Sequence, residues 1–589
     1  MMMRRREAMA ALLRVQRWSR LLGYGPFHSL AWDIGTGDHQ VDVELADPYE
    51  KVIATDALCG NNSSLPALQG LTRSVRGENV SKIMQPSDFR KTSLLEALVP
   101  RNAHVHYSSW TSSTPREEVV IAMGSNVGDR IANFNRALEL MRASGIQVIR
   151  HASLYESAPA YVTDQPFFLN SAVSALTNLD PHSLLKTLKD IESELGRTFG
   201  GIRYGPRPLD LDIIFYGDRT VATENLEIPH ARFLERPFVL APLADLLNDS
   251  NSGSTSHWSN HKCCDGGVAL AWEKMGGEAC IGKEDLRRVI PVGSELLDWS
   301  SKTHVMGILN VTPDSFSDGG RFLNVENAVA HARSMADEGA DFIDIGAQST
   351  RPGATRLSTE EELSRLVPVL EALIADPALK GVKLSVDTFD ARVGREAVNM
   401  GVHVINDVSG GYLDPEMLST VADLGVPYIM MHMRGDPTTM QSKENTTYNN
   451  VCEEVGKELN AQIKNAEALG IPAWRIITDP GIGFAKTKQQ NLDLLRDLPI
   501  VRRVLSESSF TVSRGPMLVG PSRKGFLGKI TGRQKGGERD AATVAAAVVS
   551  VLGGANIIRA HNVQAVRDAM KVVDAIYKET SSRASPILA

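Results

Sequence analysis

Eight short apolar runs, each followed by a stretch of helical spacing, fill residues 303–578 and set the architecture of nearly half the chain. They are HVMGIL (304–309), DFIDIG (341–346), VKLSVD (382–387), VHVIN (402–406), VPYIMM (426–431), RIITD (475–479), PMLVG (516–520) and NIIR (556–559). Eight strand–helix units of this size predict a TIM (β/α)8 barrel; a doubly wound open sheet is the alternative. Polar residues favour the barrel. Asn310, Asp387, Asn406, His432, Asp479, Ser522 and Arg559 all fall at or just after a strand's C-terminal end. In a barrel those ends converge on one mouth.

Upstream, residues 117–247 carry strand and helix signals in the order βαββαβ, the ferredoxin-like α+β arrangement. The expected division is therefore 1–115, a presequence and poorly ordered extension; 116–247, a ferredoxin-like domain; 248–300, a linker and connector; and 301–589, the barrel. Ser, Asn and Gly dominate 248–264, which predicts a flexible tether and separable halves.

Two groups of residues carry chemistry. Asp210 and Asp212 alternate on a strand, so both carboxyl groups leave one face while Leu211 points inward. Paired hard oxygens suit Mg²⁺, and Arg197, Arg203 and Arg207 just upstream supply the guanidinium forks of a phosphoryl-transfer centre. The chain has no Walker A loop, so any nucleotide is held by side chains. In the barrel, GILNVTPDSFSDGG (307–320) and GAQSTRPGA (346–354) turn from strand into long polar loops that read as covers over the mouth. PSRKG (521–525) and RAH (559–561) put basic and hydroxyl groups where such barrels bind phosphate. Asp387 and Asp479 offer acceptors for a 2-amino-pyrimidinone edge.

GSN (124–126), DQPFFLN (164–170), RYGPRPLDLDI (203–213) and IPH…RPFVLAPL (228–243) closely resemble 6-hydroxymethyl-7,8-dihydropterin pyrophosphokinase. The resemblance implies transfer of a pyrophosphoryl group from ATP. It places two Mg²⁺ on Asp210 and Asp212, catalytic arginines at Arg197 and Arg207, ATP contacts at Glu192, His230 and Arg236, and pterin contacts at Asn170 and Phe238. MGILNVTPDSFSDGG, STRPGA, SVDTF, INDVSG, MHMRG, DPGIGF, SRKG and IRAH resemble dihydropteroate synthase, in family order. This second resemblance implies condensation of dihydropterin pyrophosphate with p-aminobenzoate. Asp387 would stabilise the developing cation, and Asn310 would bind one Mg²⁺ on the leaving pyrophosphate. Arg351, Arg559 and His561 would hold that pyrophosphate. Asn406, Asp479 and Lys524 would bind the pterin, with Lys524 also counted as catalytic. Phe316, Ser349, Thr350, Pro352 and Ser522 would shape the p-aminobenzoate site. Gln348 stands where the family often has Glu. A barrel aldolase would need a strand-end Schiff-base lysine, and strand six ends RIITD instead. A catalytically inactive scaffold is the other alternative, and it would be expected to have lost some of these groups.

With Lys+Arg 63 against Asp+Glu 70, the net charge of −7 argues against a nucleic-acid partner. Five cysteines are too few and scattered for a disulfide framework. The uncharged run 541–558 is Ala-rich and broken by Gly553-Gly554, so it reads as a packed helix, a turn and a strand rather than a membrane span. Residues 1–32 are Arg-rich and amphipathic, which predicts import into the mitochondrial matrix, although the acidic 33–60 stretch is unlike a transit peptide and the cytosol is the alternative. Family resemblance further implies a homo-oligomer formed through the barrel.

Overall fold

In the computed structural model the described residues are 116–198, 204–247, 257–282, 286–311 and 325–577, together with four short strands within 1–115. Those strands pair in antiparallel order, and residues 1–115 form a contact unit apart from 116–589. The Arg-rich start and residues 248–256 of the expected tether 248–264 lie outside the described residues, whereas its remaining residues do not tether loosely: Trp258 and Cys264 are buried in a hydrophobic core.

The first sheet is antiparallel. Glu117–Ser125 is flanked by Phe168–Thr177 and Asp210–Tyr216, and the ferredoxin-like order is completed by Gln147–His151 and Leu154–Ser157 pairing with Phe168–Thr177. The second strand of the expected βαββαβ order is thus two, interrupted at Ala152 and Ser153. Helices Arg130–Ala143 and Pro181–Glu194 cover one face; Asp129 and Asp180 cap them, each accepting two backbone N–H bonds. Helix Pro237–Asp245, helix Gly267–Met275 and the fully buried Trp258 cover the other.

The connector is not a loose segment. Leu286–Val292 is a strand: residues 286–289 pair with Leu154–Ser157, and residues 290–292 pair with Glu295–Leu297. Ile290 and Val292, with Trp299, then pack on Met306, Phe342, Val404, Ile429, Ile477, Leu518 and Ile557, the lowest inward layer of the barrel. One strand therefore extends the first sheet and plugs the barrel floor.

The barrel itself is as expected. Eight parallel strands run in the spatial order Ile476–Asp479, Tyr428–Met431, Val404–Asp407, Lys383–Asp387, Phe342–Gly346, His304–Asn310, Ile557–Ala560, Leu518–Val519. A bridge from Thr478 to Met517 closes the ring, with the Thr478 N–H donating to Pro516 O at 3.2 Å. Odd and even positions separate cleanly. Ile343, Ile345, Ile405 and Met430 face the helices, whereas Phe342, Val404 and Ile429 face the axis. The run 541–558 becomes helix Asp540–Leu552, a glycine turn and strand Ile557–Ala560; no helix among the described residues is long and apolar enough to cross a membrane.

The two halves share buried polar contacts. Asp245 accepts from Tyr155 OH at 2.7 Å, from the Ser153 N–H at 3.1 Å and from Arg514 Nη1 of the barrel at 3.1 Å. Arg288 Nη2 donates to Tyr155 OH at 3.0 Å. Arg475 Nη2 donates to Asn135 Oδ1 at 2.8 Å, and the His151 and Trp474 rings meet edge-on at 5.3 Å.

Candidate active sites

The first site opens on the sheet edge made by Asp210–Tyr216. Alternation puts Leu211 in the core and brings Asp210 and Asp212 out together. Arg197 Nη1 donates to Asp210 Oδ1 at 2.5 Å and Arg207 Nη1 to Asp210 Oδ2 at 2.9 Å. Burial pushes Asp210 up, but Arg197 and Arg207 hold it below the ordinary carboxylate range. Asp212 receives no such clasp, so burial and the Asp210 charge push it up. Its side chain stays about a third exposed (33%), and His230 Nε2 lies 3.9 Å away. A half-open carboxyl group short of cations is where a divalent ion relieves repulsion.

Glu192 is fully buried beneath this pair. It accepts from Lys189 Nζ and the Leu211 N–H, both at 2.7 Å, and faces Arg197 at 2.6 Å. It therefore supports the strand and Arg197 from within, which departs from the expected ATP contact. Asn126 fixes the other arginine: its Oδ1 accepts the Arg207 N–H at 2.8 Å, while its own N–H donates to Arg207 O.

Beside the carboxyl groups runs a cleft lined by Tyr161, Phe168, Asn170, Tyr204, Arg236 and Phe238, among others. Asn170 is buried and donates to Ser157 Oγ at 2.9 Å. Arg236 precedes helix Pro237–Asp245, donates to Tyr161 OH at 3.2 Å and lies 6.0 Å from the Phe238 ring centre. Flat aromatic walls and a buried amide suit a planar heterocycle.

The second site is the barrel mouth. Asp387 and Asn406 are cross-strand partners. Arg559 forks between two carboxyl groups, Nε to Asp344 at 2.6 Å and Nη2 to Asp387 at 2.7 Å. Burial lifts Asp387 to about 7; Arg559 pulls it down and Asp344 pushes it up. Asp479, buried and accepting the Gly481 N–H at 2.8 Å, is pushed up by burial to about 6. Lys524 is pushed down by burial and by Arg559 to about 8; its Nζ sits 4.0 Å above the Phe484 ring. Gly483 makes room for it: φ is +86°, and a Cβ there would lie 2.7 Å from Lys524 Cδ. His561 Nδ1 lies 2.9 Å from Ser522 Oγ, and burial beside Arg523 and Arg559 lowers it to about 3, so the ring is neutral.

Ser349, Thr350, Arg351 and Pro352 lie on the loop after Phe342–Gly346. Gln348 anchors that loop, donating to Glu362 Oε2 at 2.9 Å and accepting the Leu357 N–H at 2.8 Å. Asn310 ends the first strand, and Phe316 lies outside the described residues. Two residues not anticipated from sequence complete the mouth. Asp344 sits one inward step above Phe342, in mid-strand rather than at a strand end. Lys486 is buried, with Nζ 3.1 Å from His432 Nδ1 and donating to the carbonyls of Gly481 and Phe484 at 3.1 and 3.0 Å. His432 is thus tied into loop support: its Nε2 lies 2.9 Å from Glu458 Oε2.

Residues 120–248 match the family profile of 7,8-dihydro-6-hydroxymethylpterin-pyrophosphokinase, and residues 306–561 that of the pterin binding enzymes. The chain is 57% identical over 476 residues to the mitochondrial folate synthesis bifunctional protein of Pisum sativum, covering 81% of this chain and 92% of that one. The chain belongs to the bifunctional folate-synthesis family. The mitochondrial Arabidopsis thaliana member is 55% identical, covering 81% of this chain and 87% of its own. In structure, the chain resembles the HPPK-DHPS of Plasmodium falciparum with pteroate, with TM-score 0.61 and 21% identity, covering 79% of this chain and 98% of that one. The protein is a two-step transferase, a pterin pyrophosphokinase joined to a dihydropteroate synthase, and the two matched spans contain the two sites described above.

Proposed function

We propose that the Asp210–Asp212 cleft transfers the β,γ-pyrophosphoryl group of ATP to the hydroxymethyl oxygen of a 7,8-dihydropterin, with AMP leaving. The barrel mouth then joins that product to p-aminobenzoate. The observation that carries the first half is the double clasp of Arg197 and Arg207 on Asp210 beside the freer Asp212. The donor set fits Mg²⁺, two hard oxygens on a rigid strand; Asp210 and Asp212 would hold two ions, and Asn310 one at the barrel. Bound metal supplies charge neutralisation for the phosphoryl oxygens. Arg197 and Arg207, already placed beside those carboxyl groups, take up the transferring group. Asn170 and Phe238 orient the pterin, and His230 and Arg236 contact the nucleotide.

In the barrel, Asp479, Asn406 and Lys524 hold the pterin ring. Arg559, Arg351 and the neutral His561 receive the leaving pyrophosphate. As the C–O bond loosens, the methylene carbon becomes positive and ionised Asp387 stabilises it. The p-aminobenzoate nitrogen then attacks, forming the new C–N bond and releasing one proton. Phe316, Ser349, Thr350, Pro352 and Ser522 border that second substrate. A coupled assay with ATP, hydroxymethyldihydropterin and p-aminobenzoate tests the whole reading; no AMP and no dihydropteroate would sink it.

The apolar side chains Val549, Leu552, Val572 and Tyr577 are exposed on helices Asp540–Leu552 and Val563–Tyr577. They support association of two barrels; a monomer by sedimentation would refute this. The Arg-rich N-terminus and the names of the plant relatives support mitochondrial import, which a fusion of residues 1–115 to a fluorescent protein tests.

A further inference from the structure

Asp344 has no place in the substrate contacts above, yet it is fully buried at the mouth, with no measurable exposure (0%). Strand alternation aims it at the barrel axis, between Phe342 on the floor and Gly346 at the rim. Its Oδ2 accepts two hydrogen bonds, from Arg559 Nε at 2.6 Å and from Asn406 Nδ2 at 2.9 Å. Those donors come from strands Ile557–Ala560 and Val404–Asp407, on opposite sides of Phe342–Gly346. A buried acid with a cation and an amide converging on one oxygen is a fixed anchor, because removing it would leave both donors buried and unpaired.

We propose that Asp344 is a positioning residue of the synthase site, orienting Arg559 and Asn406 together and keeping Arg559 from collapsing wholly onto Asp387. With Nε committed to Asp344, Arg559 reaches Asp387 through Nη2 alone. Nη1 has no hydrogen-bond partner among the described residues, which leaves it for the departing pyrophosphate. Without Asp344, the guanidinium has one carboxyl partner left and a two-toothed grip on it becomes the favoured geometry. That would neutralise Asp387 in the free enzyme and withdraw Arg559 from the leaving group.

Charge is part of the device. The charged groups that act on Asp387 include Arg559, Asp344, Lys524, Asp407 and Glu362. Deleting the Asp344 charge removes a repulsion, so Asp387 protonates at lower pH. The acid limb of synthase kcat/KM should therefore move down while its plateau falls.

This inference rests on the synthase reading, so wild-type turnover of supplied dihydropterin pyrophosphate with p-aminobenzoate is measured first; its failure refutes that reading and not the anchor. Asp344→Asn and Asp344→Ala in the full chain follow, with pyrophosphokinase activity as the folding control. The expected result is a plateau kcat/KM down 10- to 100-fold in the Ala variant, the usual cost of losing a supporting contact. The loss should be smaller in the Asn variant, whose carbonyl can still accept one bond, and the acid limb should shift down in both. Wild-type kcat/KM in either variant would overturn the proposal. So would a loss with an unmoved acid limb, since that is what mere loosening of the barrel would give. If the Ala variant loses both activities, the near-isosteric Asn variant decides by the same two readouts.

Discussion

The two active sites use the same ingredients in opposite ratio. In the kinase cleft two arginines, Arg197 and Arg207, clasp one carboxyl group, that of Asp210. In the barrel mouth one arginine, Arg559, is divided between two, Asp344 and Asp387. Surplus cation keeps Asp210 ionised and below its ordinary range, as charge-dense phosphates and metal require. Surplus acid does the reverse at the barrel: Asp387, buried and repelled by Asp344, titrates at about 7. A cationic cleft suits an incoming polyphosphate. An acid-rich mouth suits a carbon that turns positive.

The largest expected effect follows from the cleft. Asp210→Ala or Asp212→Ala should cut pyrophosphoryl transfer about 10²- to 10³-fold, the scale of losing one charge-stabilising group. Synthase activity on supplied dihydropterin pyrophosphate should stay intact; if both activities fall, the division of labour is wrong.

Separating the halves comes next. A barrel fragment of residues 301–589 loses Ile290, Val292 and Trp299, leaving the floor ring exposed to water. It also leaves Asp245 of the other fragment without Arg514. Loss of one large buried side chain typically costs about 2–5 kcal/mol. The mixed fragments should therefore recover under about a tenth of the synthase activity of the intact chain, whereas a fragment beginning at 286 should do clearly better. Equal recovery from both would restore the idea of a freely tethered pair.

The pH dependence sharpens the contrast further. Asp387, at about 7, must be ionised, and Lys524, lowered to about 8, must be protonated. Synthase kcat/KM should fall as pH drops through about 7 and fall again as it rises through about 8. Kinase kcat/KM, measured on the same samples, should not share that narrow bell. A synthase profile flat from pH 6 to 9 would contradict the assignment of charge at Asp387.

The smallest effect is at Gln348, which bridges Glu362 and the Leu357 N–H. Gln348→Ala loosens the loop bearing Ser349–Pro352 without touching the pterin. KM for p-aminobenzoate should rise by a factor of about 3–10, the value of one buried hydrogen bond, with KM for dihydropterin pyrophosphate unchanged. A rise in the latter alone would show that the loop serves the pterin side.

Much of this was legible in the residues. Strong apolar runs announced all eight barrel strands, and polar groups at their ends announced the mouth, because strand and loop chemistries differ sharply there. Asp344 escaped because its strand position, not its surroundings in sequence, makes it functional: nothing in DFIDIG says which acid faces the axis. Family resemblance points Glu192 at the nucleotide, but it follows Ile191 on the buried face of its helix and supports Arg197. Leu286–Val292 falls inside 248–300, a span the sequence marks only as linker and connector. It carries two arginines and a proline, lacks a clean alternation, and finds its partner at Leu154–Ser157, far back in the chain. Long-range pairing of this kind leaves little local signature.

That same strand ties the evolutionary freedom of the two enzymes together. Leu286, Arg288, Ile290 and Val292 share one face, the first two against the kinase sheet and the last two in the barrel floor. An extra residue anywhere between them would invert every side chain beyond it. A lineage could not slip this strand by a single position without injuring one catalyst to repair the other.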